Sequence, residues 1–253
     1  IFRPHIPWYA PEKYFDLYPK DRVFLPKILK DDLQDVPPHG HYGIRKQWHK
    51  WLVENNQWRE AVRGYLASIS FADAQVGRLI DALDKSSHAK NTIIVLWSDH
   101  GMHIGEKQQW EKFTLFEEST RVPLIIVAPG ITKPGTICDK PVNLLDVYPT
   151  LNELCSLPAR KNLDGISLVK LLKKPETKWE RPSITTWGKG NHAARSQRYR
   201  YIRHPNGEEQ LYDHKTDPNE FTNLADKPEL TEVKERLAKW LPKTNANPVR
   251  NKK

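Results

Sequence analysis

The chain has 253 residues, with 40 Lys plus Arg against 31 Asp plus Glu and a net charge of +9. That length holds one large domain or one and a half, and the basic balance suits either a polyanionic partner, nucleic acid or sulfated polysaccharide, or simply a solvated surface with a basic tail. No apolar run approaches the roughly 18 residues of a membrane span, the two cysteines lack zinc spacing and a CxxC pair, and no nucleic-acid recognition module is present. Membrane spanning and nucleic-acid reading are therefore excluded.

In chain order, the sequence opens without Met or a signal peptide on IFRPHIPWYAP, as though cut from something longer. Pro4, Pro7 and Pro11 forbid a helix here, which places His5 at the end of a strand that runs into a loop. Residues 12–56 lack sustained periodicity and read as a long excursion of the kind that forms lids or binding walls. The clearest helix is predicted over 57–85, where Trp58, Val62, Tyr65, Leu66, Ile69 and Val76 recur at helical spacing, with Asn55 or Asn56 as the cap.

Residues 92–130 carry the chemistry. Ile93, Ile94, Val95, Leu96 and Trp97 read as a central strand of a parallel sheet, covered on both faces. The strand stops at Ser98-Asp99-His100-Gly101. Ligand sites in open α/β sheets lie at the carboxyl ends of strands, and an Asp beside a His can reach a metal ion there. Gly101 permits a sharp turn. A polar segment leads to a second buried strand over 123–128. Helix, short turn and strand make α/β wiring.

Further on, a short amphipathic helix is expected over 144–155, with Leu145, Val147, Tyr148, Leu151 and Leu154 inward. Cys138 and Cys155 are candidates for a disulfide or for two buried thiols. After a charged connector the pattern turns to β. Strands are predicted over 183–187, 192–196, 198–204 and 209–213, with Asn206-Gly207 as the strongest hairpin signal. A last helix covers 228–241, and a basic tail follows at 250–253. Trp187, His192 and Arg195 are candidate substrate contacts, equally well explained as packing and surface charge.

The SDHG element, Gly105-Glu106, the W-x-K of Trp110 to Lys112 and the R-V-P-L-I-I from Arg121 together resemble the second conserved block of the sulfatase family. The iduronate-2-sulfatase-like branch is the nearest likeness, because His follows Asp where many sulfatases carry Asn. The R-P-H-I-P around His5, PVNLLDVYPTLNELCSLP, and Leu211-Tyr212-Asp213 with the following D-P-N-E also resemble family elements, so the likeness runs along nearly the whole chain. It implies an alkaline-phosphatase-like α/β fold, a mixed sheet sandwiched by helices, plus a small C-terminal antiparallel-sheet subdomain with one helix. The implied division is 1–175 and 176–253.

The resemblance also implies hydrolysis of a sulfate ester on a sulfated sugar or polysaccharide. Asp99 and His100 match metal ligands, Lys112 the lysine on the sulfate, and His5 the histidine on the leaving-group side. The implied metal is calcium; His100 is an unusual partner for an oxygen-seeking ion, and zinc is the rival. The family's nucleophile is a formylglycine made from a Cys in C-x-P-S-R. No such motif occurs, since Cys138 precedes Asp-Lys-Pro and Cys155 precedes Ser-Leu-Pro. The expectation is the C-terminal half of a periplasmic or secreted sulfatase (lysosomal in a eukaryote), partnered by its own N-terminal half, which carries the formylglycine. Two rivals stay open: a phosphomonoesterase or phosphodiesterase of the same superfamily, and a non-catalytic polyanion-binding homologue.

Overall fold

The computed structural model describes residues 1–247, so the basic tail at 250–253 lies outside the described residues. Two compact units are present. The first combines Ile1–Leu29, Ile44–Thr92 and Met102–Lys112; the second combines Lys30–Gly43, Ile93–Gly101 and the chain from Phe113 onward. The helices are α1 (Glu12–Phe15), α2 (Lys46–Glu54), α3 (Trp58–Asp84), α4 (Glu117–Thr120), α5 (Val147–Leu154), α6 (Val169–Lys173) and α7 (Thr231–Ala238). The strands are β1 (Ile94–Trp97), β2 (His103–Ile104), β3 (Trp110–Glu111), β4 (Leu124–Val127), β5 (Ser183–Thr186), β6 (His192–Arg195), β7 (Tyr199–Arg203) and β8 (Glu209–Asp213).

In the first unit, the long helix expected over 57–85 is α3. Its buried Val62 joins Val23 and Trp110 in a core flanked by Trp8, Leu52 and Trp58. The expected cap is corrected. Gln57 precedes the helix without a capping side-chain bond, its Nε2 donating instead to Asn55 O at 3.2 Å, while the Asn55 amide turns back to Trp51 O at 2.8 Å. Helix α2 was not foreseen, because its aromatics read as loop packing. It exists partly to bury His49, whose Nδ1 accepts from Trp110 Nε1 at 3.3 Å. Burial lowers the His49 pKa, which suits a ring that must keep a lone pair. No strand forms over residues 1–11, contrary to expectation; His5 lies in a turn, its N–H on Phe2 O at 3.1 Å.

In the second unit, β1 and β4 pair antiparallel, Ile94 opposite Val127 and Trp97 opposite Leu124. The expected parallel arrangement is thereby corrected. A uniform apolar run reports burial, and it carries no information on the direction of its neighbour. Nor is the pair covered on both faces within this chain: Trp97 is 53% exposed and Ile125 54%.

The four-stranded antiparallel sheet in the order β5-β6-β7-β8, with α7 packed on it, is the expected C-terminal arrangement. Tyr201, Leu211 and Leu237 form its core. The hairpin between β7 and β8 turns at Gly207, whose φ of +90° suits glycine. The 144–155 segment is helical, as a 3-10 turn and then α5; of the residues expected inward Val147, Leu151 and Leu154 are half-buried, but Leu145 and Tyr148 are exposed. Leu145 is 62% exposed, while Asp146 and Thr150 are wholly buried. The reason is polar: the Asp146 carboxylate accepts from Asn143 N (2.9 Å), Ile166 N (2.9 Å) and Arg181 Nη1 (2.8 Å). A buried carboxylate with that many donors is stable where an unpaired one is not. Both cysteines are free and exposed, so neither expected alternative holds. Among the described residues no helix is long and apolar enough to cross a membrane.

Candidate active site

β1 delivers the chain to Ser98-Asp99-His100-Gly101 in the second unit. A Cβ on Gly101 would lie 1.9 Å from Glu118 O, so only glycine fits, and the Gly101 N–H donates to Ser119 O at 2.9 Å. The turn presents Asp99, whose side chain is 83% exposed, beside His100, with Oδ2 and Nε2 3.8 Å apart. His100 Nδ1 lies 2.8 Å from Gly101 O. A carbonyl only accepts, so Nδ1 carries a proton and Nε2 is the ring nitrogen on the Asp99 side. A ring held through Nδ1 in this way can ligate a metal through Nε2 when that nitrogen is unprotonated.

These two residues fit part of a metal site, one carboxylate and one imidazole. Calcium takes about six to eight oxygen ligands, so most of the shell would have to come from outside this turn.

The segment that receives Gly101 is held by buried charge. Arg200, 1% exposed, donates from Nε to Glu220 Oε1 at 2.5 Å, from Nη1 to Leu115 O at 3.0 Å, and from Nη2 to Glu117 Oε2. Glu220 Oε2 accepts from the Glu117 N–H at 2.9 Å. Arg195 Nε adds a bond to Glu117 Oε2 at 3.0 Å. Burial alone would raise the Glu117 pKa, but the Arg200 and Arg195 guanidiniums outweigh it and hold the carboxyl down at about 2.

Glu117, His214 and Glu220 offer ligand atoms within 4.8 Å of one another, a second place where a metal is conceivable. The donor set does not fit one. His214 Nε2 donates to Glu220 Oε1 at 2.9 Å and its Nδ1 accepts from Arg195 Nη2 at 3.0 Å. Both ring nitrogens are committed, and a dication would face two guanidiniums.

The network gives stability a definite pH dependence. A carboxyl depressed from 4.5 to about 2 contributes stability that is full above about pH 4.5 and is lost as the pH falls through 2. For Glu117 this amounts to about 3 kcal/mol. Glu117→Gln should therefore flatten the acid limb of the urea midpoint against pH. If wild type and variant lose stability in parallel between pH 5 and 2.5, Glu117 is not the source.

In the first unit, His5 is exposed, its Nδ1 2.5 Å from Ile6 O. By the same logic Nδ1 holds a proton. Lys112 is half-buried at the end of β3. Its approach is contorted, with left-handed φ at Lys107 (55°), Gln108 (53°) and Glu111 (69°), conformations that persist only where the surroundings hold them. Gln109 does so: Nε2 donates to Lys112 O at 2.7 Å, and Oε1 accepts from Arg45 N at 2.6 Å. Arg45 Nη1 also meets Glu111 Oε2 at 2.9 Å. Upstream, Gly105 has φ +137°, and a Cβ there would strike the Trp58 ring at 2.7 Å. Burial raises the Glu106 carboxyl's pKa, while the bond its Oε2 accepts from Ile104 N (2.8 Å) opposes that.

The three candidate substrate contacts differ. Trp187 lies tilted against Phe113 (5.0 Å) and Tyr42 (6.4 Å), and its buried indole N–H finds no acceptor among the described residues. His192 is buried, with Nδ1 on Thr186 Oγ1 (2.8 Å) and Nε2 on Asn245 Oδ1 (2.9 Å). Arg195 belongs to the Glu117 network. Thus Asp99, His100, Trp187, His192 and Arg195 lie in the second unit, and His5 and Lys112 in the first. Arg45, Gln109, Glu117 and Arg200 escaped the sequence reading. Glu220 left one trace, as the acid of D-P-N-E.

A Sulfatase family model matches residues 2–157, and a model for the C-terminal region of N-sulphoglucosamine sulphohydrolase matches residues 105–247. A sulfatase of Formosa agariphila is 43% identical over 96% of the chain and 48% of its own length. A choline-sulfatase of Rhizobium meliloti is 34% identical over 89% of the chain and 45% of its own length, and human iduronate 2-sulfatase 33% identical over 67% and 33%. Among solved structures, a phosphonate monoester hydrolase from Silicibacter pomeroyi aligns over 94% of this chain and 53% of its own, with TM-score 0.80 at 24% identity. Another, solved with its substrate D-glucosamine-2-N,6-O-disulfate, aligns over 94% of this chain and 62% of its own, with TM-score 0.73 at 19% identity. These likenesses define the fold as that of the alkaline-phosphatase-like hydrolases. Within that class the chain belongs to the sulfatase family, and it spans about half the length of the curated relatives it matches.

Proposed function

We propose that the chain forms the C-terminal half of a sulfuric ester hydrolase acting on a sulfated sugar or polysaccharide. The observation that carries this reading is the Asp99-His100 turn in a sulfatase-family chain, with Nδ1 of His100 fixed on Gly101 O and Nε2 presented. In this reading Asp99 and His100 hold the metal, calcium before zinc, which when bound supplies Lewis acidity and orients the nucleophile. Lys112 neutralises sulfate oxygens, and its backbone is positioned by Gln109. His5, once protonated on Nε2, gives that proton to the departing alkoxide. The Trp187 indole N–H is a donor for a sugar oxygen. The division into a catalytic portion over 1–175 and an accessory subdomain over 176–253 is part of the same proposal.

The nucleophile, a formylglycine, and the remaining metal ligands belong in this account to an N-terminal half of the same protein. The uncovered faces of β1 and β4 and the half-length match to relatives support it. Secretion to the periplasm or the exterior, or to the lysosome in a eukaryote, is the compartment proposed. Residues 1–253 expressed alone should show no aryl sulfatase activity with calcium present and should associate through exposed apolar strands. A monomeric, cooperatively folded and active product overturns the half-enzyme reading.

In the intact protein, Lys112→Ala should slow sulfate ester cleavage by at least about tenfold, since a contact that strengthens in the transition state is worth a few kcal/mol. Unchanged kcat/KM would return Lys112 to an ordinary loop lysine. The same assay with phosphate and phosphonate esters separates the phosphoesterase rival, whose fold is shared. Faster turnover of those esters than of sulfates would favour it.

A further inference from the structure

We propose that a basic groove in the second unit, between the β6–β7 side of the small sheet and the chain leaving α7, binds an anionic stretch of a sulfated polysaccharide. The groove encloses about 590 Å³, within the roughly 300–1,000 Å³ of ligand clefts. Lys189, Arg203, Lys239 and Lys243 line it, and no carboxylate is among the described lining residues.

The positive charge is poorly compensated from nearby. Lys189 Nζ donates to the neutral Asn247 Oδ1 at 2.7 Å, which leaves its charge intact. Arg203 stands opposite Glu209 across the β7–β8 pair and helps lower its pKa, but Glu209 is shared with Lys234 Nζ at 2.7 Å and the Tyr201 hydroxyl, so one carboxylate offsets two cations. His192, the register partner of Arg203 on the other side, lies in the groove wall. Burial lowers its pKa and Arg203 lowers it further, against the Asn245 bond that raises it. The ring therefore stays neutral beside the cations, and the wall keeps hydrogen-bonding groups.

The remaining lining is His204, Pro205, Leu241, Pro242, Asn245 and small residues, without Phe, Tyr or Trp, and the His192 and His204 rings are both buried. Nucleic acids held by single-stranded grooves depend on accessible aromatic platforms for base stacking, and no exposed ring is offered among these lining residues. A chain of sulfated sugars needs only spaced cations and polar edges. Preference for a sulfated glycan rests on the proposed sulfatase reading; the capture of a polyanion does not. In function, the groove would retain a long substrate and would be idle for a small aryl sulfate.

The test uses the intact protein and fluorescent dextran sulfate as the probe, in a salt titration. Lys239 and Lys243 are both exposed, so the double variant K239E/K243E should keep the melting temperature. It should bind the probe at least about tenfold more weakly at low salt, with a shallower dependence on salt, as fewer counterions are released. Hydrolysis of p-nitrophenyl sulfate should be unchanged, and Lys112→Ala should leave dextran sulfate binding within about twofold. Wild-type affinity in the double variant overturns the proposal. So does an equal, groove-dependent affinity for duplex DNA of matched charge. Weakened dextran sulfate binding in a protein that cleaves no sulfate ester would leave the groove standing and remove the sulfatase reading instead.

Discussion

Asp99→Ala in the intact protein is expected to lower kcat/KM for an aryl sulfate by at least about a thousandfold, a loss of about 4 kcal/mol of transition-state stabilisation. The unfolding transition should hardly move. Asp99 is 83% exposed, and exposed substitutions away from caps, cores and networks change stability by about 0.5 kcal/mol or less. Activity should fall because a carboxylate ligand is the strongest anchor this turn can offer a hard cation. On the proposed reading, its loss would remove Lewis acidity and the orientation of the nucleophile together. His100→Ala should show the same separation of activity from stability. Equilibrium dialysis gives an independent readout: the Asp99 variant should bind calcium at least about tenfold more weakly. After stripping with a chelator, wild-type activity should return with calcium and not with zinc. Recovery with zinc alone would reverse the choice of metal. An Asp99→Ala protein with wild-type calcium affinity and wild-type kcat/KM would remove the turn from the active site altogether.

Much of the fold was legible because the signals were local. Helix α3 carries its apolar residues at helical spacing along nearly its whole length, and the observed Trp58–Asp84 lies one residue inside each expected end. Strands β5 to β8 and the turn at Gly207 follow from short β-prone runs and an Asn-Gly pair. The turn at Asp99-His100-Gly101 was legible as a strand's end, and the lack of space at Gly101 supplies its reason. What escaped depends on distant partners. Periodicity placed Leu145 inside, yet Leu145 is exposed and Asp146 is buried, where Arg181, 35 residues on, meets it. Arg200 in a β-strand reads as a solvated charge; its acceptors Glu220 and Glu117 lie 20 and 83 residues away. The direction of β1 against β4 was illegible for a related reason, since direction is a property of the pair.

The largest change in stability is expected at Arg200. Arg200→Met should destabilise the protein by about 3–5 kcal/mol, the range for removing one partner of a buried ion pair. The guanidinium is 1% exposed and bridges the Glu220 and Glu117 carboxylates, whose side chains are 0% and 12% exposed, with Arg195 also on Glu117 and His214 also on Glu220. Without it the two carboxylates lose the cation they share, and Leu115 O loses its donor. Arg200→Lys should recover only part of the loss, because an ammonium is a point charge and three acceptors here are met by a planar fork. The control is Arg198→Met. Arg198 pairs with Asp213 at 2.6 Å, but its side chain is 50% exposed, so less than about 1 kcal/mol should be lost. Equal losses at the two arginines, measured by urea unfolding, would show that the buried network contributes no more than a surface pair. The network also reaches the proposed metal turn, because α4 supplies the Ser119 carbonyl that accepts from Gly101 N. Arg200→Lys, which should remain folded, is therefore expected to weaken calcium binding several-fold, whereas Arg198→Met should leave it unchanged. A calcium affinity that follows global stability in both variants would confine Arg200 to holding the fold; one that falls only with Arg200 ties the ion network to the geometry of Asp99 and His100.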